Sequence, residues 1–155
     1  MSELEQLQAK DLMTPNVHEV CTTATLREAA QLMTDHGVHC LMVRLSEANR
    51  GLGIVTCKDV VQLVGEACTD ALDQLTVGEV MTMPAVCVPR ELCLIDCINL
   101  MRMVGVRRVF VVDGLEPVGL LSFTDVLQCV ADGAKRRPTG QRTRGTEGKP
   151  QRSFE

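Results

Sequence analysis

The sequence predicts an α+β fold of two tandem repeats, each with the element order β-α-β-β-α, packed face to face as one pseudo-two-fold module. Three observations predict this fold. Matching residues recur in the same order in both halves of the chain. Strand-like and helix-like patterns recur in the same order with them. The composition is 45% hydrophobic with three aromatic residues, all phenylalanine, so a buried core would consist of aliphatic, methionine and cysteine side chains.

The repeat becomes visible when the sequence is shifted against itself by 68 residues, and by 66 residues after one two-residue gap. The order of the matched residues is kept throughout, whereas chance matches would be scattered. We therefore interpret the halves as two copies of one structural unit. The matched pairs include Met13 with Met81, Gly37 with Gly105, Gly53 with Gly119, and Asp59 with Asp125.

Each copy begins with a short strand that is followed by a helix. Apolar residues recur at intervals of three and four, starting at Leu26 in the first copy and at Leu94 in the second. This spacing is typical of a helix with one buried face. The strands predicted before these helices are Val17–Val20 and Ala85–Val88.

Both ends of these helices carry local signals. Thr25 and Glu28 have the spacing of a capping box, which favours a helix beginning after Thr25. Gly37 and Gly105 stand where each apolar pattern stops. A glycine there is typical of a helix that ends in the left-handed conformation.

Two further strands and a second helix complete each copy. In the second copy the pair Asp113-Gly114 separates two apolar runs and predicts a hairpin turn. The second helices are predicted to begin near Lys58 and Thr124. The four hairpin strands are predicted at Cys40–Arg44, Leu52–Val55, Arg108–Val112 and Pro117–Leu121.

These patterns divide the chain into four segments. We assign the first repeat to residues 9–66, a connector to 67–75, the second repeat to 76–133 and a tail to 134–155. The tail has seven basic and two acidic residues and almost no apolar ones, which predicts disorder. The rest of the chain is acidic, with nine basic and eighteen acidic residues.

Composition argues against several classes of function. An acidic body with few aromatic residues disfavours nucleic-acid binding, which needs clustered cations. No apolar run is long enough to span a membrane. The first residues are polar and the eight cysteines form no CxxC pair, so we expect reduced thiols in a cytoplasmic protein that needs no metal or other cofactor. Catalytic groupings of Ser, His and Asp or of Cys and His do not stand out, so we do not expect an enzyme.

One motif closes both copies: glycine, two apolar residues, a hydroxyl residue, two variable residues and aspartate. It runs from Gly53 to Asp59 and from Gly119 to Asp125. The hydroxyl residue and the aspartate could simply cap the second helix. The same atoms could also bind a nucleotide, because a helix N-terminus attracts phosphate and a carboxylate accepts hydrogen bonds from ribose hydroxyls. Both interpretations fit the sequence.

The order and spacing of these features resemble the cystathionine-β-synthase (CBS) domain family. Its members typically open with a segment like Asp11-Leu12-Met13-Thr14-Pro15 and close with the motif described above. The resemblance covers about residues 9–131 and implies a CBS pair, or Bateman module. Such a module binds adenosine-containing ligands (AMP, ADP, ATP or S-adenosylmethionine) between its repeats.

The resemblance also implies roles for individual residues. Asp59 and Asp125 would hold the ribose, and Thr56 and Ser122 would contact ribose or phosphate. Basic residues that follow the helix glycines, together with one inside the first closing motif, would contact phosphate. These residues are His39, Arg107 and Lys58, and the apolar residues expected around the adenine ring are Val17, Val38, Ala85 and Val106.

The resemblance leaves two functional interpretations. The first is a stand-alone regulatory module, forming a homodimer, that signals ligand binding to a separate effector protein. The second is an interaction or dimerisation scaffold that binds no ligand. Phe110 departs from the family pattern, which often has proline there, and could either narrow the ligand cleft or pack in the core.

Overall fold

The computed structural model describes residues 2–15, 17–45, 51–66 and 69–133. The predicted disordered tail, 134–155, lies outside the described residues. So do most of the loop after Arg44 and the first residues of the predicted connector.

Each half of the described chain contains the predicted β-α-β-β-α order, and the fold is a mixed α/β structure with two repeats. In the first half the elements are β2 (Glu19–Cys21), α3 (Leu26–His36), β3 (Cys40–Arg44), β4 (Leu52–Thr56) and α4 (Cys57–Glu66). In the second half they are β5 (Cys87–Pro89), α7 (Leu94–Val104), β6 (Arg108–Asp113), β7 (Glu116–Ser122) and α8 (Phe123–Ala131).

Short helical turns precede each repeat, and the sequence patterns did not predict them. Each turn has four residues, which is too short to show a helical period. They occupy matching places before the two repeats, and a two-residue strand follows the first pair. The turns are α1 (Glu3–Gln6), α2 (Ala9–Leu12), α5 (Ala71–Gln74) and α6 (Val77–Val80), and the strand is β1 (Thr14–Pro15).

The helix caps form where the sequence predicted them, and the second hairpin turn lies one residue away. Thr25 Oγ1 accepts a hydrogen bond from the Glu28 amide, and Glu28 accepts one from the Thr25 amide in return. Gly37 and Gly105 end α3 and α7 with φ of 62° and 80°, where a side chain would be strained. The second hairpin turns at Gly114 and Leu115, one residue later than predicted, because Asp113 already pairs with Glu116.

The strands form two sheets. One has the order β2-β3-β4, with β2 parallel and β4 antiparallel to β3. The other has the order β1-β7-β6-β5. The strands predicted at Val17–Val20 and Ala85–Val88 were placed about two residues too early, because regular pairing with the neighbouring strand starts at Glu19 and Cys87.

The segment before each repeat packs against the other repeat. Leu7, Ala9 and Leu12 belong to the buried cluster of the second repeat, together with Leu94 and Leu121. Residues of α5 and α6, which precede the second repeat, belong instead to the buried cluster of the first. The buried core of each repeat therefore includes residues from outside that repeat's own β-α-β-β-α elements.

Each sheet also buries a residue on the face away from its own helices. Met42 and Phe110 are at most 1% exposed, yet neither belongs to the helix-covered cluster of its own repeat. They alternate with strand neighbours that do, so their side chains lie on the opposite face of each sheet. Phe110 is therefore a buried core residue.

The helices of the described residues are all too short or too polar to cross a lipid bilayer.

Candidate functional site

The first closing motif forms a complete helix cap at the start of α4. The Thr56 amide and hydroxyl both donate to Asp59 Oδ2, at 2.8 and 3.0 Å. The Asp59 amide donates to Thr56 Oγ1 at 3.3 Å. This reciprocal pair of hydrogen bonds requires a spacing of three residues between Thr56 and Asp59, as the capping interpretation of the motif expected.

The second closing motif repeats this geometry at α8. The Ser122 amide and hydroxyl each donate to Asp125 Oδ2 at 2.9 Å. The Asp125 amide donates to Ser122 Oγ at 3.3 Å. Capping accounts for one carboxylate oxygen, Oδ2, in each copy.

Backbone carbonyls satisfy part of each helix N-terminus. The Cys57 amide, first in α4, donates to the His39 carbonyl at 2.9 Å, and the Phe123 amide donates to the Arg107 carbonyl at 3.0 Å. These bonds fix the residues that follow the helix glycines beside the closing motifs. A phosphate would find fewer unpaired amides here than a bare helix N-terminus provides.

Each closing motif meets the opening segment of the other repeat. Thr14 and Pro15 pair with Leu120 and Gly119 as strand β1 against β7. At the matching place, Thr82 exchanges two backbone hydrogen bonds with Ile54, at 3.0 and 2.9 Å. We call these contacts the Asp125 junction and the Asp59 junction.

The glycines of the closing motifs make these junctions possible. A Cβ atom added to Gly119 would lie 2.5 Å from Met13 Sδ, and one added to Gly53 would lie 2.8 Å from Met81 Sδ. Both methionines therefore occupy the space that a side chain at the glycine would fill. The glycine and the opening methionine, matched in both copies, form one packing unit.

The two junctions differ at the carboxylate. At the Asp125 junction, Thr14 Oγ1 donates to Asp125 Oδ1 at 3.4 Å, and Asp125 is 7% exposed. Asp59 is half-buried. In the described chain its carboxylate accepts hydrogen bonds from the Thr56 amide and hydroxyl, and its own amide donates to Thr56 Oγ1. Thr82, which matches Thr14, makes the corresponding backbone bonds to Ile54, but in the described chain its hydroxyl makes no hydrogen bond to Asp59.

The predicted basic residues are accessible. His39, Lys58 and Arg107 are all exposed. Arg108 is half-buried and acts across the repeats, because its charge is one of the influences on the pKa of Cys40. Burial is the larger influence, so the pKa of that thiol is raised overall. Arg108 thus places a positive charge near the start of β3, between the repeats.

The apolar residues predicted to surround adenine are all half-buried. Val17 precedes β2, and the neighbouring ring of His18 stacks on His36 with centroids 4.1 Å apart. The Ala85 amide donates to the Leu52 carbonyl at 2.7 Å, so Ala85 belongs to the Asp59 junction. Val38 and Val106 follow the helix glycines, beside the residues that contact the helix N-termini.

Two cavities lie near this region without enclosing the acids. One of about 370 Å³ is lined by residues of α3 and α4 and includes Val38 and His39. Another of about 620 Å³ lies along β2 and α3. Neither includes Asp59 or Asp125. Of the predicted site residues, Val38 and His39 share the smaller cavity, and both acids lie outside these two cavities.

Two junction residues were not among the predicted site residues. Thr14 was read as part of the opening motif, and nothing in the sequence connects it with Asp125, 111 residues later. Arg108 was predicted only as the first residue of a strand. The match of Arg108 with Cys40 in the 68-residue shift could have indicated a position facing the other repeat.

Comparison with known proteins gives two kinds of match. The CBS domain family model matches residues 9–66 and 77–132. A protein of Methanopyrus kandleri, MK0525, is 27% identical over 108 residues, or 68% of this chain. The match spans 54% of that relative, so this chain corresponds to about half its length.

Solved structures share the fold. A hexameric CBS-CP12 protein from bloom-forming cyanobacteria is 32% identical, with a TM-score of 0.72, over 78% of this chain and 69% of its own. The CBS domain pair of MJ0100, in complex with 5′-methylthioadenosine and S-adenosyl-L-methionine, is 20% identical, with a TM-score of 0.69 over 81% and 97%. The CBS domain of a bacterial CNNM/CorC family Mg²⁺ transporter in complex with ATP is 23% identical, with a TM-score of 0.71 over 86% and 92%.

Proposed function

This chain belongs to the CBS domain family, and from that premise we propose that it is a regulatory module that binds an adenosine-containing ligand between its repeats. The ligand would be AMP, ADP, ATP or S-adenosylmethionine. Binding would change how the repeats pack, and a separate effector protein would respond. Such a response requires that the ligand bind the two arrangements with different affinity.

The observation that carries the proposal is the Asp59 junction. A half-buried carboxylate keeps one oxygen beyond its cap bonds, next to exposed Lys58 and His39 and close to the other repeat. A carboxylate suits the hydroxyls of a ribose, and cations suit phosphate or another anionic group. Asp59, Lys58 and His39 all belong to the first repeat. The second repeat contributes Thr82 and Ala85, which hydrogen-bond to β4 beside them, so a ligand held there would lie between the repeats.

The solved relatives support the choice of ligand class. One was obtained with methylthioadenosine and S-adenosylmethionine and another with ATP, and all three ligands contain adenosine. These relatives are below 25% identical, so they supply the fold and a precedent. The choice among the ligands for this chain stays open to experiment. CBS pairs are generally regulatory, which agrees with a binding module rather than an enzyme.

We test the proposal by isothermal titration calorimetry of the full chain with AMP, ADP, ATP and S-adenosylmethionine. Saturable heat with at least one of them is expected, and Asp59→Ala should weaken it about tenfold or more, because hydrogen bonds to a charged acceptor are lost. Lys10→Ala is the matched control, since Lys10 is exposed on α2 and belongs to neither junction. No saturable heat from any of the four ligands would contradict the proposal.

A scaffold that binds no ligand is the second candidate, and one observation favours it. In both aspartates one carboxylate oxygen accepts the hydrogen bonds of the helix cap. The motif therefore has a structural role that requires no ligand. Native and denaturing mass spectrometry of the purified protein separate the candidates. A nucleotide that is released on denaturation favours the regulatory module, whereas a ligand-free protein that also gives no calorimetric signal favours the scaffold.

Self-association is part of the proposal, as a C₂ homodimer. Exposed apolar side chains cluster on the outer helices: Met103 of α7 is 80% exposed, and Leu127 and Val130 of α8 are 69% and 55% exposed. Exposed apolar side chains on neighbouring helices can form a surface between subunits. Sedimentation velocity should give a dimer for the native chain, and Leu127→Glu should shift it toward monomer. A native chain that sediments as a monomer would contradict the dimer alone.

A further inference from the structure

We propose that the two junctions are inequivalent ligand sites: the Asp59 junction binds ligand, and Thr14 keeps the Asp125 junction closed by occupying the carboxylate that a ribose would need. This inference rests on the proposed function, because it specifies which of the two sites is used. It predicts one ligand for each chain, although the closing motif is intact in both repeats.

The hydrogen bonds of the two carboxylates carry the proposal. At Asp125, Oδ2 accepts from the Ser122 amide and hydroxyl, and Oδ1 accepts from Thr14. At Asp59, Oδ2 accepts from Thr56 in the same way, but Thr82 does not take the place of Thr14. At Asp59 a ribose hydroxyl therefore meets an oxygen for which the described chain shows no other hydrogen bond, whereas at Asp125 it must displace a protein hydroxyl.

Burial acts in the same direction. Asp125 is 7% exposed and is the one buried polar or charged residue in the described part of the chain. Its carboxylate already accepts hydrogen bonds from Ser122 and Thr14. A ligand must expose this carboxylate and then replace those bonds. Asp59 is half-buried, so a ligand reaches it without this rearrangement.

The distribution of cations also separates the junctions. The closing motif at Asp59 contains Lys58, whereas the matching position at Asp125 is Thr124. The residue after each helix exit is His39 at one junction and Arg107 at the other. Each junction thus has one permanent cation, and the Asp59 junction has an imidazole in addition.

Calorimetric stoichiometry of the full chain tests the proposal, with the adenosine-containing ligand that binds best among AMP, ADP, ATP and S-adenosylmethionine. The wild type should bind one ligand per chain. Thr14→Val should create a second site, because it removes the hydroxyl while keeping the size of the exposed side chain. The matched control is Thr82→Val, which should create no second site. Circular dichroism and thermal melting establish that each variant is folded.

Two double variants locate the sites. In the Thr14→Val background, Asp59→Asn should remove the first site and leave the second, and Asp125→Asn should remove the second and leave the first. Asparagine keeps the capping geometry at both helices, so these variants remain folded more readily than alanine variants.

The outcomes separate the proposals. Two similar sites in the wild type, one site that survives Asp59→Asn, or a single site in Thr14→Val would each overturn the inequivalence while leaving nucleotide binding in place. A wild type and a Thr14→Val variant that both fail to bind all four ligands would contradict the proposed function itself.

Discussion

Replacing Gly119 by alanine tests the packing unit that joins the two repeats. The added Cβ atom would lie 2.5 Å from Met13 Sδ, 2.9 Å from Met13 Cγ and 3.0 Å from Met13 Cβ. Nonbonded heavy atoms prefer roughly 3.5–4.0 Å, so the methionine must withdraw by about 1 Å. Its Cβ is fixed to the backbone of the opening segment, and that backbone must move as well.

The expected cost follows from two opposing terms. Overpacking of this kind typically costs about 1–3 kcal/mol, and contact with a fixed Cβ atom places Gly119→Ala toward the upper part of that range. Alanine regains about 0.5–1 kcal/mol, because glycine is unfavourable in a strand. We expect a net loss of about 1–2 kcal/mol for Gly119→Ala. Gly53→Ala should be close to neutral, because the closest contact is the mobile Met81 Sδ at 2.8 Å.

The assay is equilibrium unfolding in urea, followed by circular dichroism, for both glycine variants and a control. Gly65→Ala is the matched control, because Gly65 lies in α4 and a Cβ atom there meets nothing within 4 Å. It should stabilise the protein by about 0.5–1 kcal/mol through helix propensity. The expected order of stability is Gly65→Ala, wild type, Gly53→Ala and Gly119→Ala.

A double-mutant cycle identifies the cause. In a Met13→Ala background the obstacle is gone, so Gly119→Ala should then cost nothing or become slightly stabilising. The reasoning is refuted if Gly119→Ala is as stable as the wild type, or if its cost is the same with and without the Met13 side chain.

Three further predictions concern single interactions. Thr25→Ala removes the cap of α3 and should lower the free energy of unfolding by about 1 kcal/mol in urea, and no change would mean that the cap is dispensable. The paired Arg27 guanidinium lowers the pKa of Asp73 below 3.8, so the stabilisation by this pair is full above pH 3.8 and is lost as the pH falls through the lowered value. NMR titration should show this pKa returning to its ordinary value in Arg27→Ala, and an unchanged pKa would contradict the assignment. Burial raises the pKa of Cys97 to about 11, so iodoacetamide at pH 8 should label it far more slowly than the exposed thiols, and equal rates by mass spectrometry would refute this. The exposed thiols for comparison are Cys21 and Cys57.

Local signals explain which parts of the fold were predictable. The capping box at Thr25 and the glycine at Gly37 act within one helical turn, and both form as expected. The internal repeat also predicted that the two halves would have the same elements. What the sequence did not reveal was the packing of Ala9 and Leu12, which are fully buried in the second repeat. Their partners lie some 80 to 120 residues away, and no local pattern encodes that distance.

The features of the candidate site were likewise predictable only in part. The spacing of Thr56 and Asp59 predicted either a cap or a binding site, and the cap is present in the structure while ligand binding stays a prediction. The difference between Asp59 and Asp125 could not be predicted, because their motifs match and both opening segments contain Thr. The difference is one hydrogen bond, from Thr14 to Asp125, and it depends on how closely two segments 111 residues apart approach each other.

The unequal assembly of the two cores has a consequence for how the chain folds. The core of the first repeat draws on a continuous stretch, from Val20 to Met81, whereas that of the second joins Leu4–Met13 to residues beyond Val86. Closing the longer loop costs more chain entropy. We therefore expect the first core to form before the second during synthesis. The packing of Leu4–Met13 against the second repeat would follow.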